Sequence, residues 1–498
     1  MKTKIISLFT FLSMAAIFSI AIGGQRFLFV NNQAVYYLNG LAYAGKGYLL
    51  NDWIVLNGKS LPTFDYFVYY SVELFSDNFF YVVMFFLQGI YVYSLIKIAN
   101  IIFEFNNKFI FNLIYFSVLI FSYSLWWIQI STGVATQDLT LYALMPATFG
   151  IFLLVSIYLY LTKHIYLSIV ALCVAAYFHS AYLISAGLLT LSYLTAEFIE
   201  SKNFKVPIRM GGLALILISP ILVYNSIVHA QTNPDLWQEM VRLLVHDFLP
   251  FHSLPPVWLD EAAIIKFLSI ILGIFIIRRT RIFYPMLIPS IVLISTTLIT
   301  YYFPNDFISF WQPWRVSTFL VPLATAILLG YFLKKLLIEK LINSRQEIIF
   351  GILSSILILF SIQNGLGNFE KYVDNRVRYN QQFSGLFNFV VESLQPDDLY
   401  LVPPGFGAKF RINTGAPVFF GVNKYPFTDT VFFEWYDRYK MANDFYRSDD
   451  EACDELNELI DFESITHVVL PPKHPASKCD KLSRIYKDKK YFLFSVED

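Results

Sequence analysis

Apolar residues come in runs of about 14–23 separated by short polar breaks, starting at Ile5, and the pattern stops near Asn364. A helix needs roughly 20 such residues to cross a hydrocarbon core. The runs place candidate spans at 5–24, 79–98, 109–127, 139–161, 165–178, 181–198, 206–227, 262–277, 282–303, 314–333 and 347–363. That makes a polytopic α-helical membrane protein of about eleven spans. The first run follows a short positive stretch, Met1-Lys2-Thr3-Lys4, and is long enough to be an uncleaved helix rather than a signal peptide. The pair around His179-Ser180 is short and reads as a tight hairpin.

The last stretch behaves differently. Helical periodicity at 379–394, 428–443 and 449–462 alternates with short apolar strands at 399–403, 417–422, 466–470 and 491–496. Such alternation predicts a small C-terminal α/β domain. The expected organisation is a transmembrane domain over 1–364, with a long first outer loop at 25–78, and an α/β domain over 365–498.

Positive charge orients the ladder. With the N-terminus in the cytoplasm, the inner loops carry Lys97, Lys108, Lys163, Lys202, Lys205, Arg209, Arg278, Arg279, Arg281, Lys334, Lys335, Lys340 and Arg345. The outer loops are poor in Lys and Arg. An odd number of spans then puts the C-terminal domain outside the cytoplasm. Composition agrees: 56% of residues are hydrophobic and only 15% charged, where a soluble domain carries about a quarter. Net charge is zero, so nucleic acid is not an expected partner. No zinc or EF-hand pattern occurs, and three cysteines exclude a Cys-rich metal site. Cys453 and Cys479 fall in the tail, either as a disulfide or as two free thiols; their Cα separation decides.

A few polar residues sit where the bilayer surface should be. Asp52, in Asn51-Asp52-Trp53 of the first outer loop, would be a general base reached by a polar acceptor, or else a capping residue beside an interfacial indole. Asp138 begins the 139–161 span, where an acidic side chain is costly unless it is paired or functional; the alternative is an N-cap. His179 turns the short hairpin on its outer side and would hold a phosphate or metal, or be satisfied by backbone. Arg315, in Trp311-Gln312-Pro313-Trp314-Arg315, starts a span from the outer side. A two-pronged phosphate contact explains an arginine there better than snorkelling does, since Gln312 and two indoles surround it. In the tail, Arg411, Lys424 and Glu434-Trp435-Tyr436-Asp437-Arg438 set charge beside aromatics, either as a sugar site or as ion pairs.

Taken together, the long first loop with its acidic residue, the many spans, the arginine at the outer start of a late span and the α/β tail resemble the GT-C superfamily of integral-membrane glycosyltransferases. Asn51-Asp52-Trp53, the Trp311–Arg315 run and the tail motifs Val402-Pro403-Pro404-Gly405, Phe410-Arg411, Lys424-Tyr425-Pro426 and Glu434–Arg438 are similar to a bacterial multi-pass membrane family of that architecture. The resemblance implies transfer of a sugar from a polyprenyl-phosphate donor to a glycan or lipid acceptor outside the cytoplasm, in the plasma (inner) membrane. It implies Asp52 as the base, and Arg315 with Gln312 and His179 on the donor phosphate. Asp138 becomes a second carboxylate for a sugar or a divalent metal, and Trp53, Arg411 and Lys424 become substrate contacts. Two other readings stay open: a polysaccharide polymerase or ligase, and a non-catalytic protein of cell-envelope assembly.

Overall fold

The computed structural model describes residues 2–497 apart from 25–26, 30–31, 60, 106–108, 126–131, 140–142, 336–343 and 423. Lys108, Lys340 and the end of the 109–127 segment therefore lie outside the described residues. The chain forms two compact units. One comprises Met1–Arg26, Phe80–Tyr224 and Val241–Glu370, and the other Phe27–Phe79, Asn225–Met240 and Lys371–Asp498.

The first unit is helical. Each of the eleven apolar segments contains a helix. Among the described residues, six helical segments are long and apolar enough to cross a membrane: Phe79–Phe103, Ser180–Ser201, Lys205–Val228, Phe283–Tyr302, Asp306–Leu333 and Arg345–Val377. Ser7–Ala21, Phe109–Ser124, Pro146–Leu161 and Ile165–Phe178 are shorter apolar helices. A helix that is apolar all round is buried by protein or by lipid. Protein buries 72% of the apolar window of Asp306–Leu333 but only 17% of that of Lys205–Val228, so the former is the centre of the unit and the latter faces outward. Ser344–Ser393 is one continuous helix where the sequence suggests two, at 347–363 and 379–394. No proline falls between them to interrupt the backbone hydrogen bonds.

The second unit gathers the tail with Phe27–Phe79 and Asn225–Met240, both within the 1–364 stretch expected as the transmembrane domain. Its sheet has four strands, β1 (Tyr400–Leu401), β2 (His467–Leu470), β3 (Leu482–Lys487) and β4 (Phe492–Val496), in the order β1-β2-β4-β3. β1 and β2 are parallel; β2–β4 and β3–β4 are antiparallel. Phe383, Phe387 and Val390 pack with Tyr400, Val402, Phe406, Phe410, Val418, Val469 and Leu493 to make its core. The strand expected at 417–422 is reduced to a single bridge, Tyr400–Val418. Pro417 has no N–H to give, and the Val418 N–H donates to Asp52 instead of to a strand.

Two glycines fix how the first loop meets the tail within this unit. Gly47 (φ 53°) and Gly415 (φ 76°) are both left-handed, and a Cβ on either would strike the other's backbone. The Tyr48 N–H donates to the Gly415 carbonyl across that contact at 2.9 Å.

Cys453 and Cys479 form a disulfide with Cα atoms 5.6 Å apart, which settles the alternative left open by the sequence. It ties the acidic helix Ala452–Phe462 to the end of the turn Pro475–Lys478. Closing a loop of 26 residues contributes about 3 kcal/mol in the chain-entropy account. Cys453→Ser is expected to lower tail stability by about that amount. Thermal unfolding with and without reductant checks it, and identical curves for oxidised and reduced protein would rule out a stabilising bridge.

Candidate functional site

The centre of the first unit carries a connected polar cluster on an otherwise apolar scaffold. Asp306–Trp311 is a short helix whose C-cap, Gln312, is left-handed (φ 48°, ψ 56°). A single 3₁₀ turn, Pro313–Val316, then leads into Ser317–Leu333 and carries Arg315. Gln312 Oε1 accepts from Arg315 Nη2 at 2.7 Å. Arg315 Nη1 donates to His179 Nε2 at 3.0 Å. A guanidinium only donates, so that imidazole nitrogen accepts and carries no proton. Gln312 Oε1 also accepts from Gln137 Nε2 at 3.2 Å, and Gln312 Nε2 donates to Ser253 Oγ at 3.3 Å. Arg315 is thereby held from two sides before any ligand arrives. Of the two indoles expected around it, Trp314 is fully buried against Trp258 and donates to the His252 carbonyl, while Trp311 is largely exposed.

Asp138 lies elsewhere than the sequence places it. The helix of that segment starts at Pro146, so Asp138 is neither its cap nor its first turn. Proline presets the first helical φ and forces its predecessor out of the α region, and Met145 is accordingly extended (φ −145°, ψ 168°). Asp138 is half-buried in an irregular stretch between Thr132 and Leu139. Lys266, on Glu261–Ile277, lies in its electrostatic field and donates to the Gly133 carbonyl at 2.9 Å and to Thr132 Oγ1 at 3.2 Å. The sequence reading passed over Lys266 and His252. For Lys266 a signal existed, since a lysine inside an apolar run is a functional candidate by default. His252 carried none beyond its proline-rich loop.

The other four expected site residues meet in the second unit. Asp52 caps Trp53–Asn57, accepting from the Ile54 N–H at 3.0 Å. Its second oxygen accepts from Arg411 Nε at 2.6 Å and from the Val418 N–H at 2.9 Å. Asp52 has no exposed surface and Arg411 almost none. Trp53 lies 4.6 Å under the Arg438 guanidinium, which also stacks on Phe419 and Phe462 and pairs with Glu434 and Glu463. Lys424 Nζ donates to Asn39 Oδ1 at 2.6 Å, and Asn39 Nδ2 donates to Asp65 Oδ2 at 3.0 Å. Burial pushes the Lys424 ammonium down to about 8, against the opposing pull of Asp65. These side chains join first loop to tail over more than 350 positions of sequence. Among the described residues no three His, Cys, Asp or Glu side chains converge as a metal site.

Residues 381–442 match a family described as Domain of unknown function (DUF6798). The match takes in Val402–Gly405, Arg411, Lys424 and Glu434–Arg438, the tail residues quoted for the resemblance. No curated protein matches the chain in sequence. Among solved structures, the crystal structure of ArnT from Cupriavidus metallidurans in the apo state matches with a TM-score of 0.51 at 10% identity, covering 99% of this chain and 98% of that one. The chain shares the fold of that ArnT structure. At that identity the likeness is one of fold. It covers 99% of this chain, the tail included.

Proposed function

We propose that this protein is a membrane glycosyltransferase that moves a sugar from a polyprenyl-phosphate donor to an acceptor hydroxyl outside the cytoplasm. The observation that carries it is Arg315, held ready by His179 and Gln312 within an apolar helical unit. A donor with a phosphate head and a hydrocarbon tail needs such a cation, set in surroundings that also accept lipid. The acceptor oxygen bonds to the anomeric carbon and its proton passes to a carboxylate. The bond from the anomeric carbon to phosphate oxygen breaks, and polyprenyl phosphate leaves with its charge held by Arg315.

Two carboxylates compete for the proton. Asp52 has a donor on each oxygen and no exposed surface, and would have to shed a partner first. Asp138 is half-buried and not sealed from an acceptor. We assign the base to Asp138, and to Asp52 the seating of the first loop on the tail. The Cys453–Cys479 bridge supports an oxidising, extracytoplasmic side for the tail, and with it a cytoplasmic N-terminus.

Binding of a polyprenyl phosphate to purified protein, against the matching polyprenol, tests the reading. Arg315→Ala is expected to lose the preference for the phosphate, and Arg315→Lys to recover only part of it, because a point charge does not reproduce the fork. Unchanged preference in Arg315→Ala would show that Arg315 anchors its helix and nothing more.

A further inference from the structure

The stretch before Asp138 contains a turn that its own residues do not favour. The Gln137 N–H donates to the Val134 carbonyl at 3.2 Å, and the two residues between, Ala135 and Thr136, have φ of 56° and 57°. Positive φ at both central positions defines a type I′ turn, whose preferred pair is Asn-Gly. Alanine and threonine have no side-chain means of favouring the left-handed region, and threonine is β-branched. Conformations of this kind persist only where the surroundings over-determine them, and they gather at functional sites.

Four contacts from other elements of the same unit supply that determination. Lys266 holds the Gly133 carbonyl. Ser317 Oγ accepts from the Val134 N–H at 2.9 Å. Gln137 donates to Gln312. The fourth acts on the turn itself: His252 Nδ1 lies 2.7 Å from the Ala135 carbonyl and 3.1 Å from Thr136 Oγ1. A carbonyl only accepts, so Nδ1 carries the proton and donates. His252 sits on the short helix Pro250–Ser253, beside Ser253, which accepts from Gln312.

We infer that His252 is a positioning residue: by holding the strained Ala135-Thr136 turn it fixes Asp138 at one end and, through Gln137 and Gln312, the Arg315 fork at the other. The inference rests on the proposed function for the meaning of that placement, but the turn can be read without it. Loss of the His252 hydrogen bond lets Ala135 and Thr136 relax toward negative φ. The Gln137 side chain then leaves Gln312 Oε1, and the arginine loses one of the groups that orient its partner.

The experiment pairs hydrogen exchange of residues 132–139 with binding of decaprenyl phosphate and of decaprenol, on the full chain in detergent. His252→Ala is expected to speed exchange across 132–139 and to weaken decaprenyl phosphate binding by about tenfold, the scale of one lost hydrogen bond. Adding Ala135→Asn with Thr136→Gly, the pair that favours the turn unaided, should restore both. A residue serving only the packing around Trp314 would not be rescued that way. His252→Asn, whose amide can reach the same carbonyl, should keep wild-type behaviour and serves if the alanine variant does not fold. Unchanged exchange in His252→Ala overturns the inference, as does faster exchange with unchanged binding. Equal binding of decaprenyl phosphate and decaprenol by the wild type overturns the donor reading instead, while the exchange data still decide the role of His252.

Discussion

Arg411→Ala is expected to destabilise the second unit by about 3–5 kcal/mol, the usual cost of stripping one partner from a buried ion pair. The charge it leaves behind explains the size. Asp52 would remain sealed from water with two backbone N–H groups but without the guanidinium that pairs with it. For a unit of this size that is a fall of roughly 10 °C in unfolding temperature. Replacing both partners, Arg411→Leu with Asp52→Asn, should cost less than Arg411→Ala alone, because no net charge is then buried. Thermal unfolding of the three proteins in one detergent checks this. A shift in Arg411→Ala no larger than that of a surface substitution would mean the pair contributes nothing.

The ladder of helices was legible because hydrocarbon leaves the backbone one solution, a helix apolar over its length. Helix ends followed wherever a local residue dictates them, as at Asp260, whose side chain caps Glu261–Ile277. Asp138 was misplaced because the apolar run continues through 139–145, while the start of the helix is decided by Pro146 further along. Nothing in Ala135-Thr136 announces a left-handed turn, since the contacts that impose it come from residues 252, 266, 312 and 317.

The second unit was the least legible part. Periodicity sees neighbours a few positions apart, whereas Asp52 finds Arg411 and Val418, and Trp53 finds Arg438, across most of the chain. In the sequence Asp52, Arg411 and Arg438 each have a functional and a structural reading; in the structure Asp52 pairs with Arg411, and Arg438 stacks on Trp53. β3 was missed for a different reason. Leu482–Lys487 is an edge strand, largely open on both faces and laced with Arg484 and Lys487, so it lacks the alternation of a half-buried strand.

Within the Arg315 cluster the sequence did better. It singled out Arg315 with Gln312 in one run and His179 in another segment, and the structure joins them by hydrogen bonds. An arginine, an amide and an imidazole at the ends of apolar runs each need a partner, and the nearest partners are one another.

Asp138→Asn is expected to reduce sugar transfer by about a hundredfold or more, the scale of a lost general base, while leaving unfolding temperature and decaprenyl phosphate binding as in the wild type. The amide is nearly isosteric with the carboxylate but cannot take the acceptor proton. Asp52→Asn should behave in the opposite way. It removes the counter-charge of Arg411, so stability falls first, and transfer declines only as far as the second unit loosens. Measuring both variants for transfer and for unfolding therefore separates a chemical role from a structural one. Loss of transfer in Asp52→Asn at unchanged unfolding temperature, with Asp138→Asn still active, would move the base to the first loop. It would also mean that Asp52 exchanges Arg411 for the acceptor during the reaction, because the ion pair leaves its carboxylate no free face.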